Sequence, residues 1–519
     1  MRTVIIIILL LNVFGACAQD KWSVGDRQLF KDASEFFDQG DLALAITPLK
    51  DLHKKDSTNA KLNFELGVCL LQLENKKADA FRLLNYAEMK GHAPASLMKG
   101  LALHRMYRFE EAIDAYEHYM ASGDKYYDVA NAEYYIQCSV RAIEALSHPV
   151  DVAISNLGPN INTEAKEYVP VITPDNTNLY FTSRRPNSTA RLRDPNGEYF
   201  EDVYHSVNDS GTWSVAKNIG QPVNSETHDA TVSISADGKT MIMYRTNSNL
   251  TGGDLYITSL KGNTWSKPEK LSSRINSSYQ EASAALSPDK QTLYFSSNRP
   301  DGYGGKDIYR VKRLPNGEWS LPRNLGPTIN TSFDEDAPFI DTDGATMYFA
   351  SKGHSTIGGY DLFRSVCREG EVWSAPENLG YPANTVDDDI FLAVNKGGKR
   401  GYFSSERPGG FGAQDIYSID FIYRQNEIMI IHGEVRTASD VALAAEITLI
   451  DEDTHKVQGV YRSNPNNGKF ILDIHPMTRY KVIIEAKGYK TAVDTFEFTF
   501  PITIDESEVV LTPYMLRNE

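Results

Sequence analysis

Between residues 149 and 421, short stretches of alternating apolar and polar residues recur at a regular spacing. The apolar core of each copy reads LYFTS, MIMYR, LYFSS, MYFAS and GYFSS in five successive copies. A turn follows each core, and then an aspartate, an aliphatic residue and an aromatic residue. A period of about fifty residues, with several short strands and glycine-rich turns in each copy, is typical of the blades of a β-propeller.

The fifth copy ends before its last strand. Copies one to four each continue into a strand with a tryptophan, but no such strand follows Asp415 in copy five. The segment 152–158, ahead of the first copy, aligns with the strand and turn that end copy one. We expect this segment to complete the sheet of the fifth copy, which closes the ring and removes two open sheet edges. The sequence therefore predicts a five-bladed propeller, with the tryptophans packed between its sheets.

From residue 27 to residue 146, the apolar period changes to that of helices. Small residues recur 34 and 33 residues apart on the first helix of each pair, at Ala33, Gly67 and Gly100. Small residues let paired helices approach closely, and this period resembles that of tetratricopeptide repeats. We expect three repeats and a closing helix. Their concave groove is interpreted as a site for a peptide or a partner domain, and a spacer that only positions the propeller is the alternative.

Alternating strands continue after the last copy. Turns that contain Asn, Gly or Pro separate them, and about ninety residues of this pattern predict a β-sandwich. The predicted fold class is thus multidomain, α and all-β: a tetratricopeptide-like solenoid, a five-bladed β-propeller and a C-terminal β-sandwich. The predicted domains are a signal peptide at 1–18, helical repeats at 27–146, the propeller at 149–421 and the sandwich at 427–514.

Two of these regions resemble known families. The third copy, SPDKQTLYFSSNRPDGYGGKDIYR, resembles the WD40-like blade of TolB-type propellers in multidomain envelope proteins of Bacteroidota. The second copy departs most from this pattern, and the first carries a long, charged insertion at residues 187–201. The C-terminal strands, in the series GEV, AEITLID, NGKFILDI and YKVIIEAKGYK, resemble the carboxypeptidase-regulatory-like domain.

The order of these domains resembles that of the PorE-type component of the type IX secretion system. In that family, an OmpA-like peptidoglycan-binding domain usually follows. This sequence reaches Glu519 without one, so we expect no direct peptidoglycan-binding domain. The resemblance implies a role in type IX secretion or envelope assembly, and it rests on domain order.

The first eighteen residues predict export. Arg2 precedes an apolar run at residues 4–11 that is too short to span a bilayer, and small residues follow. Ala16-Cys17-Ala18 fits an ordinary signal peptidase site, whereas Cys17 is also a candidate for lipidation. Soluble export and a lipid anchor both stay open, so the predicted location is the periplasm or the outer membrane.

Composition and motifs narrow the function classes. The net charge of −16 and the absence of a Lys/Arg cluster argue against nucleic acid as a partner. Four cysteines are too few for a disulfide framework in an exported chain of this length, although a Cys69–Cys138 bridge stays open. We find no Gly-x-Ser-x-Gly, His-x-x-x-His or Cys-x-x-Cys motif. We therefore expect no enzyme, no metal and no cofactor.

Each copy places a carboxylate five residues after a turn asparagine, at the expected start of the innermost strand. That position lines the central channel of a propeller, so these acids are candidates for a ring at the channel mouth. Such a ring needs compensation, because like charges at short range repel one another. The five acids are Glu167, Asp229, Glu281, Glu335 and Asp389.

An arginine eighteen residues after the acid offers this compensation in copies one, three and five. Copies two and four have Asn247 and Gly353 at that place. We interpret the acids as braces that hold each blade through an arginine or through backbone N–H groups. The alternative is that Asp229 and Glu335, which lack that arginine, bind a cation or a basic group of a partner.

The predicted function is a non-enzymatic interaction or scaffold protein of the periplasm or outer membrane. Its protein partners are expected at the helical repeats and the propeller. A glycan- or peptide-binding propeller protein is the alternative, and a propeller hydrolase is the third possibility. The identity of the partner, the oligomeric state and a ligand of the channel stay open.

Overall fold

The computed structural model describes residues 22–73, 76–194, 197–368, 372–396, 398–422, 429–452, 455–474, 479–497, 508–510 and 514–517. The predicted signal peptide and Cys17 lie outside these residues. The chain divides into two compact units, Met1–Ile136 and Gln137–Glu519. Within the described residues, every helix is too short or too polar to cross a membrane.

The described residues before 148 form seven α-helices. They are α1 Val24–Asp38, α2 Leu42–Lys55, α3 Ala60–Leu73, α4 Lys77–Met89, α5 Ala95–Arg105, α6 Phe109–Ser122 and α7 Val129–Ser147. Helix α1 begins with a capping box, in which Ser23 and Asp26 satisfy each other's backbone N–H groups. Gly123 ends α6 in the left-handed conformation that favours glycine.

Close pairing of α3 with α4 and of α5 with α6 depends on glycine. A Cβ atom at Gly67 would lie 2.8 Å from Cγ of Leu84, and one at Gly100 would lie 2.4 Å from the ring of Tyr116. Contacts below 3.0 Å force a neighbour to move, and both neighbours are buried core side chains. The predicted role of small residues in close helix pairing is confirmed.

Strands replace helices from residue 152 onwards. In the repeat region, residues 152–421, they are β1 Val152–Asn156, β2 Glu167–Ile172, β3 Asn178–Ser183, β4 Asp202–Asp209, β5 Thr212–Trp213, β6 Lys217–Asn218, β7 Asp229–Ile234, β8 Thr240–Thr246, β9 Gly253–Lys261, β10 Thr264–Trp265, β11 Glu269–Lys270, β12 Ala284–Leu286, β13 Thr292–Ser297, β14 Asp307–Lys312, β15 Arg323–Asn324, β16 Glu335–Ile340, β17 Thr346–Ser351, β18 Asp361–Arg368, β19 Val372–Trp373, β20 Glu377–Asn378, β21 Asp389–Val394, β22 Arg400–Ser405 and β23 Asp415–Phe421.

These strands form five antiparallel sheets, which we number as the first to fifth repeats. Their strand orders are β2-β3-β4-β5, β10-β9-β8-β7, β12-β13-β14-β15, β16-β17-β18-β19 and β1-β23-β22-β21. The short strands β6, β11 and β20 pair with β4, β9 and β18. Neighbouring strands in each sheet are antiparallel, and most of them follow one another directly in the chain.

The fifth sheet is completed by the strand that precedes the first repeat. Strand β1 pairs antiparallel with β23, from Val152 opposite Phe421 to Asn156 opposite Tyr417. Asn156 also donates from Nδ2 to Asp415 at 2.8 Å. The prediction that segment 152–158 completes the last repeat is confirmed.

The tryptophans of the repeats lie between neighbouring sheets. Trp213 of the first repeat packs edge-on against Tyr402 of the fifth, with ring centroids 5.8 Å apart. Trp265 packs in the same way against Tyr180 of the first repeat, at 5.7 Å. These contacts confirm that the tryptophans form core rather than exposed ligand platforms.

The described strands after residue 428 form two further sheets. They are β24 Met429–Thr437, β25 Glu446–Asp451, β26 Lys456–Arg462, β27 Lys469–Ile474, β28 Arg479–Glu485, β29 Ala492–Glu497, β30 Glu508–Val510 and β31 Tyr514–Leu516. The first sheet has the order β27-β24-β30, with β31 beside β24, and the second has the order β26-β25-β28-β29. Buried apolar side chains of both sheets, such as Val435 and Phe470 of one and Leu449 and Val482 of the other, belong to one cluster.

Candidate functional site

The five predicted acids are all buried. Four of them open an inner strand and Glu281 lies three residues before β12; each is at most 2 % exposed. Each acid accepts a backbone N–H and a hydroxyl from the residue four positions earlier, which is always serine or threonine. These donors are Thr163, Ser225, Ser277, Thr331 and Thr385.

Arginines complete this arrangement in the first, third and fifth repeats. Arg185 donates to Glu167 at 3.1 Å, Arg299 to Glu281 at 3.0 Å, and Arg407 to Asp389 at 2.7 Å. Each guanidinium also donates to a backbone carbonyl in the turn before the acid. A buried carboxylate needs such donors, since its desolvation is costly.

Asp229 lacks the arginine eighteen residues on, as predicted, but another arginine compensates its charge. Arg245 donates from Nε to Asp229 at 2.5 Å and from Nη2 to the carbonyl of Val223. Arg245 lies on β8, sixteen residues after the acid, where the other four repeats have a serine. The same charge compensation is thus reached from a different position on the strand.

Glu335 of the fourth repeat has no arginine among its described partners. Its oxygens accept from Thr331 and from the hydroxyl of Ser351 at 2.6 Å. In the other repeats, an arginine also bonds a backbone carbonyl in the turn before the acid. Here His354 makes that contact, with its Nε2 2.8 Å from the carbonyl of Ile329. Burial raises the pKa of Glu335, and the hydrogen bonds from Ser351 and Thr331 oppose that rise.

These contacts support the interpretation of the acids as braces. Binding of a cation or a basic partner group at Asp229 or Glu335 stays a prediction. In the described part of the chain, no three His, Cys, Asp or Glu side chains are grouped to hold a metal ion. Among the described residues, no disulfide bond joins Cys69, Cys138 or Cys367, so the alternative of a Cys69–Cys138 bridge is wrong.

The centre of the repeat region holds a narrow, apolar cavity of about 30 Å³. Inner-strand residues such as Val171, Ile234, Phe339 and Leu392 line it. About 30 Å³ is the volume that one water molecule occupies in the liquid.

A much larger cleft, of about 750 Å³, lies beside the first repeat. Sequence reasoning identified the insertion at 187–201 but not this cleft. Eighteen residues, 184–201, separate β3 from β4, against nine, 298–306, at the same place in the third repeat. The cleft is lined by Thr163, Glu164, Ala165, Lys166, Arg184, Arg185, Pro186, Asn187, Arg193, Gly197, Glu198, Tyr199 and Ala413.

A hairpin within the insertion forms one wall of the cleft. Arg193 pairs with Tyr199 in a β-bridge, and its guanidinium carbon lies 4.1 Å from the centroid of the tyrosine ring. Nη1 of Arg193 donates to the carbonyl of Gly197 at 2.5 Å. The hairpin thus presents a stacked guanidinium and aromatic ring to the cleft.

An ion network fixes this hairpin to the repeat. Arg184 donates to Asp194 at 2.7 Å, to Glu198 at 2.5 Å and to Glu201 at 2.9 Å. Lys166 pairs with Glu198 at 2.9 Å. Burial alone would raise the pKa of Glu201, but a hydrogen bond with His228 and the charge of Arg184 lower it to about 2. These ion pairs hold Asp194 and Glu198 of the hairpin against Arg184 and Lys166 of the repeat.

A signal for the hairpin was present in the sequence. Residues 193–199 read RDPNGEY and residues 313–319 of the third repeat read RLPNGEW. Arg313 stacks on Trp319 at the same 4.1 Å and donates to the carbonyl of Gly317 at 2.7 Å. Trp319 is buried in the core, whereas Tyr199 lines the cleft. The insertion therefore repeats a core hairpin in a position where its aromatic residue faces an opening.

Comparison with known proteins gives similarities of fold. No protein-family model and no curated protein matches the chain. The first TPR of Spaghetti (RPAP3), solved with an HSP90 peptide, has 21 % identity and a TM-score of 0.20 over 23 % of this chain and 93 % of its own. The α-L-arabinofuranosidase of Lactobacillus brevis has 11 % identity and a TM-score of 0.35 over 52 % and 94 %. The α-L-arabinanase of Penicillium chrysogenum has 12 % identity and a TM-score of 0.32, over 52 % of this chain and 98 % of its own.

In the described residues, helices precede a large all-β region, and a TPR domain and propeller-like enzymes are among the solved structures that are similar to the chain. The prediction that it is not an enzyme is wrong by this comparison, because those neighbours are mainly arabinofuranosidases, xylosidases and arabinanases. Identities of 9 to 12 % limit the likeness to the fold, so no substrate or reaction follows from it. The exclusion of catalysis is withdrawn.

Proposed function

We propose that this chain is an exported glycan-binding protein and that the cleft beside the first repeat is its binding site. The observation that carries this proposal is the insertion hairpin, which opens a cleft of about 750 Å³ against the repeat. Ligand pockets of about 300–1,000 Å³, with a few placed polar groups, are typical of small-molecule sites. A site of this size holds a short oligosaccharide.

The chemistry of the cleft fits a sugar. A partly exposed aromatic ring, Tyr199, offers a flat apolar surface for the C–H face of a pyranose. Glu164, Asn187 and Arg193 are planar polar side chains that can bond neighbouring hydroxyl groups in pairs. The paired charges of the wall hold the hairpin in place before the ligand arrives, which lowers the cost of binding.

The repeat region supplies the framework in this proposal. Five sheets of four or five strands, with β1 in the last, support a five-bladed propeller. Two C-terminal sheets with a common apolar cluster support the predicted β-sandwich. Protein partners at the helical repeats stay a prediction. Export, with or without a lipid on Cys17, rests on residues 1–18, and none of the comparisons supports a role in type IX secretion.

Calorimetric titration with a panel of oligosaccharides tests the proposal. Wild-type protein should bind at least one member of the panel, and Tyr199→Ala should weaken that binding about tenfold, the usual effect of removing an aromatic contact. Tyr303→Ala is the matched control, because Tyr303 is 51 % exposed on a turn of the third repeat and does not line the cleft. Equal affinity of Tyr199→Ala and wild type, or no binding to any glycan, would refute the assignment.

A further inference from the structure

The basic side chains of the cleft differ in how their charges are compensated. Arg184 contacts three carboxylates, Arg185 contacts Glu167, and Lys166 contacts Glu198. Arg193 has no carboxylate partner among the described residues, and its described hydrogen bond goes to the carbonyl of Gly197. Within the part of the chain that the structure describes, Arg193 is therefore the basic side chain of the cleft whose charge no carboxylate neutralises.

The position of Arg193 prepares it for a planar anion. One face of the guanidinium lies on the ring of Tyr199 at 4.1 Å, and the carbonyl of Gly197 fixes one of its nitrogens. The remaining N–H groups lie in the guanidinium plane. Guanidinium binds carboxylates through two parallel N–H···O bonds, and little side-chain entropy is lost when the group is already held. The arrangement suits a single carboxylate.

Glu164 restricts the ligand further. This carboxylate also lines the cleft; it is exposed, and the described residues offer it no hydrogen bond or ion pair. An ionised carboxylate only accepts hydrogen bonds, so Glu164 favours sugar hydroxyls and repels a second acid. The protein as a whole carries a net charge of −16, which disfavours polyanions as well.

We propose that the ligand of this cleft is a largely neutral glycan with a single uronic acid residue, whose carboxylate binds Arg193 while its hydroxyls bind near Glu164. This inference rests on the proposed function and names the chemical class of its ligand. Arg313 provides an internal comparison, since it has the same stacking and the same carbonyl contact but does not line the cleft.

The test uses two matched probes on the full chain: an oligosaccharide with one glucuronic acid residue, and the same oligosaccharide after reduction of its carboxyl group. Wild type should bind the acidic probe about 10- to 100-fold more tightly than the reduced one, the range for a charge-assisted hydrogen-bonded pair. Arg193→Ala should remove this preference, because it weakens binding of the acidic probe much more than binding of the reduced probe. Arg313→Ala should keep the preference, and thermal melting should show that both variants are folded.

The outcomes separate this inference from the proposed function. If wild type binds both probes equally, or if Arg193→Ala keeps the preference for the acid, the cleft does not recognise a carboxylate and the inference fails, while glycan binding stands. If oligogalacturonate, with a carboxylate on every residue, binds more tightly than the single-acid probe, the restriction assigned to Glu164 is wrong. If neither probe nor any neutral glycan binds, the proposed function itself fails.

Discussion

The third and fourth repeats have the same strands but treat their buried acids differently. In the third, Glu281 has an arginine, and Arg299 also bonds the carbonyl of Ile275. In the fourth, hydroxyl and amide groups hold Glu335, and a histidine contacts the corresponding carbonyl. The same fold position is thus occupied by an ion pair in one sheet and by a carboxyl whose pKa is raised by burial in the next.

The aspartate that opens β14 or β18 shows the same contrast. In the third repeat, Asp307 accepts on both oxygens: from Tyr303 and Asn324 on one, and from Gly304 on the other. In the fourth, Oδ2 of Asp361 accepts from Ile357 and Asn378, but Oδ1 has no hydrogen-bond partner among the described residues. Burial raises the pKa of Asp361 to about 8.

The turn between the second and third strands explains part of this difference. Tyr303 is 51 % exposed in the third repeat, whereas Ile357, at the corresponding position of the fourth, is buried. Arg141 of α7 donates to the carbonyl of Thr356 in that turn at 2.7 Å. A turn that packs against another element excludes water from the groups beneath it. A buried carboxyl group that lacks hydrogen-bond donors there favours its protonated form.

The largest expected effect is the difference between Glu281→Gln and Glu335→Gln. The first substitution leaves the partly buried Arg299 without its counter-charge and should lower the free energy of unfolding by about 3–5 kcal/mol. The second substitution removes no ion pair. It should lower the free energy of unfolding by about 1 kcal/mol, because an NH₂ group that donates replaces one carboxylate oxygen that accepts a hydrogen bond. Chemical denaturation of both variants measures this, and equal losses would show that the arginine is not what distinguishes the two repeats.

Asp307→Asn and Asp361→Asn should shift stability in opposite directions at pH 7. In Asp307→Asn, the NH₂ group of the amide faces a backbone N–H, so two donors oppose each other. This should lower the free energy of unfolding by about 1–3 kcal/mol. At Asp361 the NH₂ group can take the place of the unbonded Oδ1, so the variant should match or exceed wild type in thermal melting. A melting temperature of Asp361→Asn clearly below that of wild type would show that the ionised form is needed.

The pH dependence of Asp361 follows from the same contrast. Its pKa rises from 3.8 to about 8 on folding, so the folded state binds the proton more tightly. The associated stability is fully present below pH 3.8 and is lost as the pH rises through about 8. Wild type should therefore lose stability relative to Asp361→Asn between these values. Parallel curves for the two proteins from pH 4 to pH 9 would contradict the raised pKa.

The smallest effect is expected for Arg141→Ala. The substitution removes one charged hydrogen bond to a carbonyl and should cost about 1 kcal/mol or slightly more. Hydrogen exchange should accelerate in residues 353–359 of the fourth repeat but not in residues 299–305 of the third. Acceleration in both turns would mean that Arg141 acts on the whole repeat region and not on one turn.

The repetition of the sequence predicted most of the architecture and little of the chemistry. The five cores, the completion of the last sheet by β1 and the packing of the tryptophans all follow from residues that recur at equal spacing. Arg245 was missed because the repeats were compared position by position, and the equivalent position in the second repeat is Asn247. The carboxylate can accept a hydrogen bond from any guanidinium within reach, whatever its position in the repeat. The cleft was missed for a related reason: its wall is an insertion, and the hairpin motif that builds it repeats out of register with the blades.

The pairing of β1 with β23 has a mechanical consequence. Val152, where the chain enters β1, lies opposite Phe421, where it leaves β23. Tension applied at these two residues therefore loads the ladder from one end and breaks its hydrogen bonds one after another, rather than shearing them all together. We expect the pairing of β1 with β23 to break at low force and to form again when tension is released. Single-molecule extension between residues 151 and 422 would measure this, and a first rupture elsewhere in the ring would contradict it.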